Sequence, residues 1–176
     1  FDPAADGGHF HATLGAAPYA IAENPSVLAI GTSKWLGVIQ SQVQGASSTT
    51  WVEPHPGVRD AFVRRGLLQE NTTTVVEDPR AFLNTSTLQY NLILFDAAAN
   101  GGDAASEVYL LTTEGLRDAL RQLEGGGMLA IPMKLLNPPR YLPKHIRMAK
   151  EALKAIGVDS PENHMIGLRS MQHGML

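Results

Sequence analysis

Tyr90-Asn91-Leu92-Ile93-Leu94-Phe95-Asp96 is the strongest apolar run in the chain, and it ends abruptly on an acid. Four consecutive apolar residues bounded by polar ones suit a strand buried on both faces. The same form recurs upstream. Val27-Leu28-Ala29-Ile30 ends at Gly31, Thr49 to Glu53 ends before Pro54-His55-Pro56, and Thr72 to Val76 ends before Asp78-Pro79. Downstream, Gly125-Gly126-Gly127 reads as a turn into a fifth strand, Met128 to Met133. Helical patterns fill the intervals. Trp35, Leu36, Ile39 and Val43 lie near one helix face, and Val58, Ala61, Phe62 and Arg65 form a second helix ending near Gly66. Pro79 opens a third, a fourth is expected over about 108–123, and a long amphipathic one over about 142–156, ended by Gly157. His164 to Leu168 reads as a sixth strand.

Strands alternating with helices of crossover length predict an α/β protein with a doubly wound, mostly parallel sheet between two helical layers. Residues 1–25 read as a lead-in segment and 26–176 as a single Rossmann-like domain. The length of 176 residues suits one domain, with 44% hydrophobic and 18% charged residues. Fourteen basic against 17 acidic residues, a net charge of -3, give no reason to expect nucleic acid as a partner. With no cysteine, thiol nucleophiles, disulfides and cysteine-ligated metals are excluded. The longest apolar run, near Met128 to Pro132, is far below the roughly 20 residues of a membrane-spanning helix. No signal-peptide pattern is present, so a cytoplasmic location is expected. The chain opens at Phe1 rather than at methionine, which reads as a piece of something longer.

In a parallel sheet the ligand is expected outside the carboxyl ends of the strands. Gly31, Glu53, Asp78 and Asp96 all fall there. The loop Gly31-Thr32-Ser33-Lys34-Trp35-Leu36-Gly37 stands where a nucleotide-binding loop belongs, but it lacks the middle glycine of a dinucleotide fingerprint. An ordinary strand-to-helix turn explains it equally. Glu53 could accept from both hydroxyls of a ribose, or be a solvated loop carboxylate. Asp78 could pair with an adenine amino group, cap the helix that opens at Pro79, or do both. Asp96 could bind or deprotonate an amine, or tether its loop. His9 and His11 have no third ligand at a fixed spacing, so no metal is expected. No Gly-x-Ser-x-Gly elbow supports hydrolase chemistry. The basic face of Arg140, Lys144, Arg147, Lys150 and Lys154 reads as a solvated helix face.

Taken in order, these segments resemble the spermidine synthase family, the polyamine aminopropyltransferases, and behind it the class I S-adenosylmethionine methyltransferase fold. Phe10 to Pro18, with His11, is similar to that family's Tyr-His-Glu-Met…Pro segment. Val27 to Gly31 resembles its first strand, Val52-Glu53-Pro54 its Val-Glu-Ile-Asp, and Tyr90 to Asp96 its Tyr-Asp-Val-Ile-x-x-Asp. Val75 to Leu83 resembles the segment carrying its adenine-side acid, and Leu123-Glu124-Gly125-Gly126-Gly127 its Leu-x-Pro-Gly-Gly region. The resemblance implies a donor ligand, S-adenosylmethionine or its decarboxylated form, bound by Gly31, Glu53 and Asp78. It further implies a polyamine substrate handled by His11 and the catalytic acid Asp96, with a homodimer as the expected assembly.

Two departures count against a full spermidine synthase. The donor-loop acid is replaced by Lys34 or Trp35, and the second acid of the Asp-x-x-Asp loop falls at Ala99. A cationic amine must be held and deprotonated before it attacks carbon, so losing carboxylates weakens both steps. The alternative is a degenerate interaction or regulatory module that kept the fold. Asn137-Pro138-Pro139-Arg140 and the following helix look closest to spermidine-synthase-like domains fused to bacterial membrane segments. That likeness implies membrane contact only through segments outside this sequence, as the cytoplasmic domain of a membrane protein.

Overall fold

The computed structural model describes residues 7–30, 36–95, 110–134, 138, 142–170 and 173–175. Its strands and helices run β1 (Ser26–Ile30), α1 (Leu36–Val43), β2 (Ser48–Val52), α2 (Pro56–Arg64), β3 (Thr72–Val75), α3 (Pro79–Thr85) and β4 (Tyr90–Phe95). They continue with α4 (Thr113–Leu120), β5 (Leu123–Ala130), β6 (Pro132–Lys134), α5 (Leu142–Ala155), β7 (Leu168–Ser170) and β8 (His173–Met175). Short 3-10 turns cover Gly8–Ala12, Leu14–Ala20 and Pro161–His164.

Strand β1 lies at the centre because its residues are apolar on both faces; Val27, Leu28 and Ile30 are at most 1% exposed. The sheet order is β3-β2-β1-β4-β5, with every neighbour parallel. Ile30 stands opposite Val52 of β2 on one side and Phe95 of β4 on the other. Alternate side chains feed different layers. Leu28, Ile30, Ile93 and Phe95 pack with Phe82 and Leu83 of α3, Leu116 of α4 and Met148 of α5. On the opposite face Ala29 and Trp51 meet Val38 and Ile39 of α1, Phe62 of α2, and Phe10. The Trp51 and Phe62 rings are 5.0 Å apart and tilted by 56°. The lead-in thus covers part of the sheet: Phe10 and Tyr19 are buried, and the Gln40 side-chain amide donates to the Phe10 carbonyl at 3.2 Å.

The expected α/β doubly wound sheet with its two helical layers is what forms. Three boundaries differ. The described part of the fourth helix is only Thr113–Leu120, because the Thr112 hydroxyl caps it by accepting from the Gly115 N–H at 3.0 Å. The fifth strand starts at Leu123, five residues before the expected Met128, and the glycines form a bulge rather than a preceding turn. Tyr90 pairs with Leu123 and Leu92 with Met128, so Glu124 to Gly127 face the single residue Asn91. The Asn91 amide donates to the Glu124 carboxylate at 2.7 Å across this bulge.

The end of the chain departs further. Pro132 cannot donate to a ladder, and it opens β6 after the single residue Ile131. Antiparallel pairing then joins β6 to β8 and β8 to β7, giving a small sheet in the order β6-β8-β7. The strand expected at His164 to Leu168 is replaced by the 3-10 turn and this hairpin. Among the described residues no helix is long and apolar enough to cross a membrane.

The bulge makes unequal demands on its glycines. A Cβ on Gly127 would lie 3.0 Å from the carbonyl oxygens of Glu124 and Tyr90, whereas one on Gly125 would meet open space. Gly127→Ala is expected to lose about 1–3 kcal/mol in denaturant unfolding, and Gly125→Ala no more than about 0.5 kcal/mol. Equal effects would contradict the bulge geometry.

Candidate functional site

The first strand and its two parallel neighbours end at one edge of the sheet. The ladder there extends one residue past β2: the Glu53 N–H donates to the Val75 carbonyl at 3.0 Å. This places Glu53 at the carboxyl edge with its side chain turned inward, 1% exposed. One carboxylate oxygen accepts from the His55 N–H at 2.8 Å, the only hydrogen bond the carboxylate makes among the described residues. Burial pushes its pKa above the ordinary glutamate value, while the His55 N–H and the nearby imidazole charge pull it back. A buried carboxylate with one internal donor has acceptor capacity left over, which is uncommon in a purely structural role.

Asp78 follows β3 and is exposed. Its Oδ1 accepts from the N–H groups of Arg80 and Ala81 at 2.9 and 3.0 Å, so it is the N-cap of α3, with Pro79 as first helical residue. Both bonds use Oδ1, and Oδ2 keeps its lone pairs for another donor. Capping and ligand binding are therefore compatible at this residue.

The other expected residues are not brought to this edge within what is described. Gly31 and Asp96 lie outside the described residues, as do Lys34, Trp35 and Ala99. His11 is exposed, and its Nδ1 is 3.2 Å from the Gln44 side-chain oxygen. Gln44 lies just past α1, on the approach to the start of β2, whereas Glu53 follows the end of that strand. Among the described residues no group of three or more His, Asp or Glu could hold a metal ion.

One charged residue escaped notice in the sequence. Asp118 on α4 is buried, and its carboxylate meets Arg80 at 3.0 Å, Arg117 at 3.0 Å and Arg121 at 4.0 Å. The contact with Arg80 ties the first turn of α3, the turn capped by Asp78, to α4. The spacing of Arg117 and Arg121 around Asp118 was the available signal; the partner from α3 had none.

No protein-family model matches the chain, and no curated protein matches it. Solved structures do. Ribosomal protein L11 methylase from Lactobacillus delbrueckii subsp. bulgaricus is similar with a TM-score of 0.58 and 15% identity, covering 96% of this chain and 77% of the methylase. Human methyltransferase-like protein 13, solved in complex with SAH, gives 0.62 at 12% identity over 95% of this chain and 79% of its own. The domain has the class I methyltransferase fold. A spermidine synthase solved with the transition-state analogue AdoDATO also shares it, at a TM-score of 0.60 and 16% identity. That match covers 84% of this chain, which spans about half (51%) of the synthase.

In this methyltransferase fold the burial of Glu53 has a measurable cost. A folded-state pKa above the unfolded value means that the folded protein binds the extra proton, so stability falls as pH rises through the raised pKa. Relative to Glu53→Gln, which keeps an acceptor for the His55 N–H, the native protein is expected to lose stability as pH rises from about 4 through the raised pKa. Thermal melts of both proteins across that range check it. A difference independent of pH would remove the carboxylate as its source.

Proposed function

We propose that the domain binds an adenosyl sulfonium donor, S-adenosylmethionine or its decarboxylated form, at the carboxyl edge of the sheet. The observation that carries this reading is Glu53: a carboxylate 1% exposed, just past the second strand of a 3-2-1-4-5 parallel sheet, with a single donor among the described residues. Two adjacent ribose hydroxyls supply the donors such a carboxylate lacks. Asp78 Oδ2 takes the adenine amino group while Oδ1 holds the helix. Gly31, with no Cβ, lets the backbone approach the donor. The ligands of the similar structures, SAH and AdoDATO, are of the same adenosyl type and favour this assignment.

Transfer from such a donor is a displacement at carbon. An acceptor lone pair forms a bond to the carbon attached to sulfur, the carbon–sulfur bond breaks, and the neutral thioether leaves. With a polyamine acceptor the attacking nitrogen must be unprotonated, and Asp96, next in sequence after β4, takes that proton. A methyl or an aminopropyl group moves by the same step, and which carbon on sulfur the acceptor lone pair is aligned with decides which. His11 is not assigned a role in this step. Its contact in the structure is with Gln44.

A second reading, a fold that binds without transferring, is favoured by Trp35 or Lys34 at the donor-loop acid position and Ala99 at the second acid position. Calorimetric titration with S-adenosylmethionine, its decarboxylated form and methylthioadenosine tests the first reading. Binding of at least one is expected, weakened by about 1.5–3 kcal/mol in Glu53→Ala. No heat with any of the three would overturn it. Asp96→Asn then separates the two readings: binding is retained in both, while turnover with an amine acceptor is present in the native protein and lost in the variant only if the domain is an enzyme.

A further inference from the structure

Helix α3 has seven residues, and a helix of two turns is not stable alone. Its orientation comes from what it packs on. Phe82 and Leu83 lie in one buried cluster with Leu116 of α4, and polar contacts cross between the two helices at both ends of α3. At its last turn the buried Gln122 side-chain amide donates to the Leu83 carbonyl at 2.8 Å. At its first turn Arg80 meets Asp118.

The two oxygens of Asp118 divide their partners. Oδ1 accepts from Arg117 Nε and Nη2 at 3.1 and 3.0 Å and lies 4.0 Å from Arg121, cations on or just past α4 itself. Oδ2 faces Arg80 Nη1 at 3.0 Å, and this ion pair is the only polar contact of that buried nitrogen among the described residues. Cations of its own helix already balance the carboxylate, so the contact from α3 adds a tie between elements rather than a needed charge. Arg80 carries that tie to Asp78. Its guanidinium is held by Asp118, and its N–H is one of the two from which Asp78 Oδ1 accepts. These two bonds fix the Asp78 carboxylate, and a tilt of the first turn would swing Oδ2 away from a fixed donor. Glu53 is independent of this route, since the ladder between β2 and β3 holds it.

We propose that Asp118 is the positioning residue for adenine recognition: through Arg80 it fixes the first turn of α3 and aims Asp78 Oδ2 at the adenine amino group. This role rests on the donor reading above. Calorimetry with methylthioadenosine and methylthioinosine, which has oxygen in place of the amino group, gives a preference ratio that reads Asp78 apart from the ribose contacts. Three variants separate the causes. Asp118→Asn breaks the tie and keeps the cation at position 80. Arg80→Met breaks it and leaves Asp118 two partners and the capping N–H intact. Arg121→Met removes a cation from Asp118 and leaves the tie. The ratio is expected to fall by about threefold to tenfold in the first two and to stay within about twofold in the third. A fall in only one of the first two, in all three or in none overturns the proposal. Without ligand, amide exchange at positions 80 and 81 should quicken in the first two variants and not in the third. Equal exchange in all three also overturns it. If neither nucleoside binds the native protein, the donor reading fails and this role with it, whereas binding with an unchanged ratio removes this role alone.

Discussion

Strand β1 is covered on all four sides, by β2 and β4 laterally and by helical layers above and below, and the rest of the architecture follows from that enclosure. A strand with parallel neighbours on both sides cannot be reached by a tight hairpin, so each return must cross a face of the sheet, here as a helix. Right-handed crossovers leaving β1 toward β2 and entering β4 from β3 cover opposite faces. The strand order therefore reverses between β1 and β4, and the helices that follow these strands past the carboxyl edge, α1 and α4, pack on opposite faces of the sheet. A crevice at that edge is a consequence of connectivity before any side chain is considered.

Glu53 shows what the enclosure costs at its margin. The backbone ladder runs one residue past β2, through the Glu53 N–H and the Val75 carbonyl, and this carries an ionisable side chain inward. A solvated carboxylate at the same turn would fold at least as well. Burial raises its pKa, and among the described residues its charge has one backbone donor, so burial itself is unfavourable to the charged form. Perturbed carboxylates of this kind concentrate where a ligand supplies the missing donors. Asp78 is the opposite case. Its capping bonds stabilise α3 whether or not a ligand is present, and they explain its position without one.

Much of this was legible in the residues. The apolar runs of β1 and β4 gave their positions within a residue, and the glycine and proline punctuation gave the connecting helices. What failed did so for local reasons. The helical pattern runs on into Leu123 and Glu124 and is followed by three glycines, and neither periodicity nor a turn rule reveals a bulge opposite Asn91. Strands of three residues, as in β7 and β8, are too short to show alternation. At the site, position along the chain pointed to Glu53, but its burial depends on how far the β2 ladder extends, a tertiary property. Asp78 was readable as a cap because Asp-Pro before an apolar helical pattern is a local signal. The cluster around Asp118 includes Arg80, 38 residues away in sequence, and local patterns carry no trace of that partner.

The two lateral edges of the sheet are protected unequally. At the far edge β3 is four residues long and begins with three threonines, all short of full burial. Its side chains tolerate water, and its length offers little to a foreign strand. The β5 edge carries some of the usual guards, with a glycine bulge and Glu124 at one end and Pro132 at the other. Between them Met128-Leu129-Ala130-Ile131 is an uninterrupted apolar stretch without charge, proline or bulge. The guards stand at the two ends, and the stretch between them carries none. Its two faces are packed against the core instead, Leu129 on the side of Ile93 and Met128 on the side of Leu92, so the strand is held from above and below rather than along its edge.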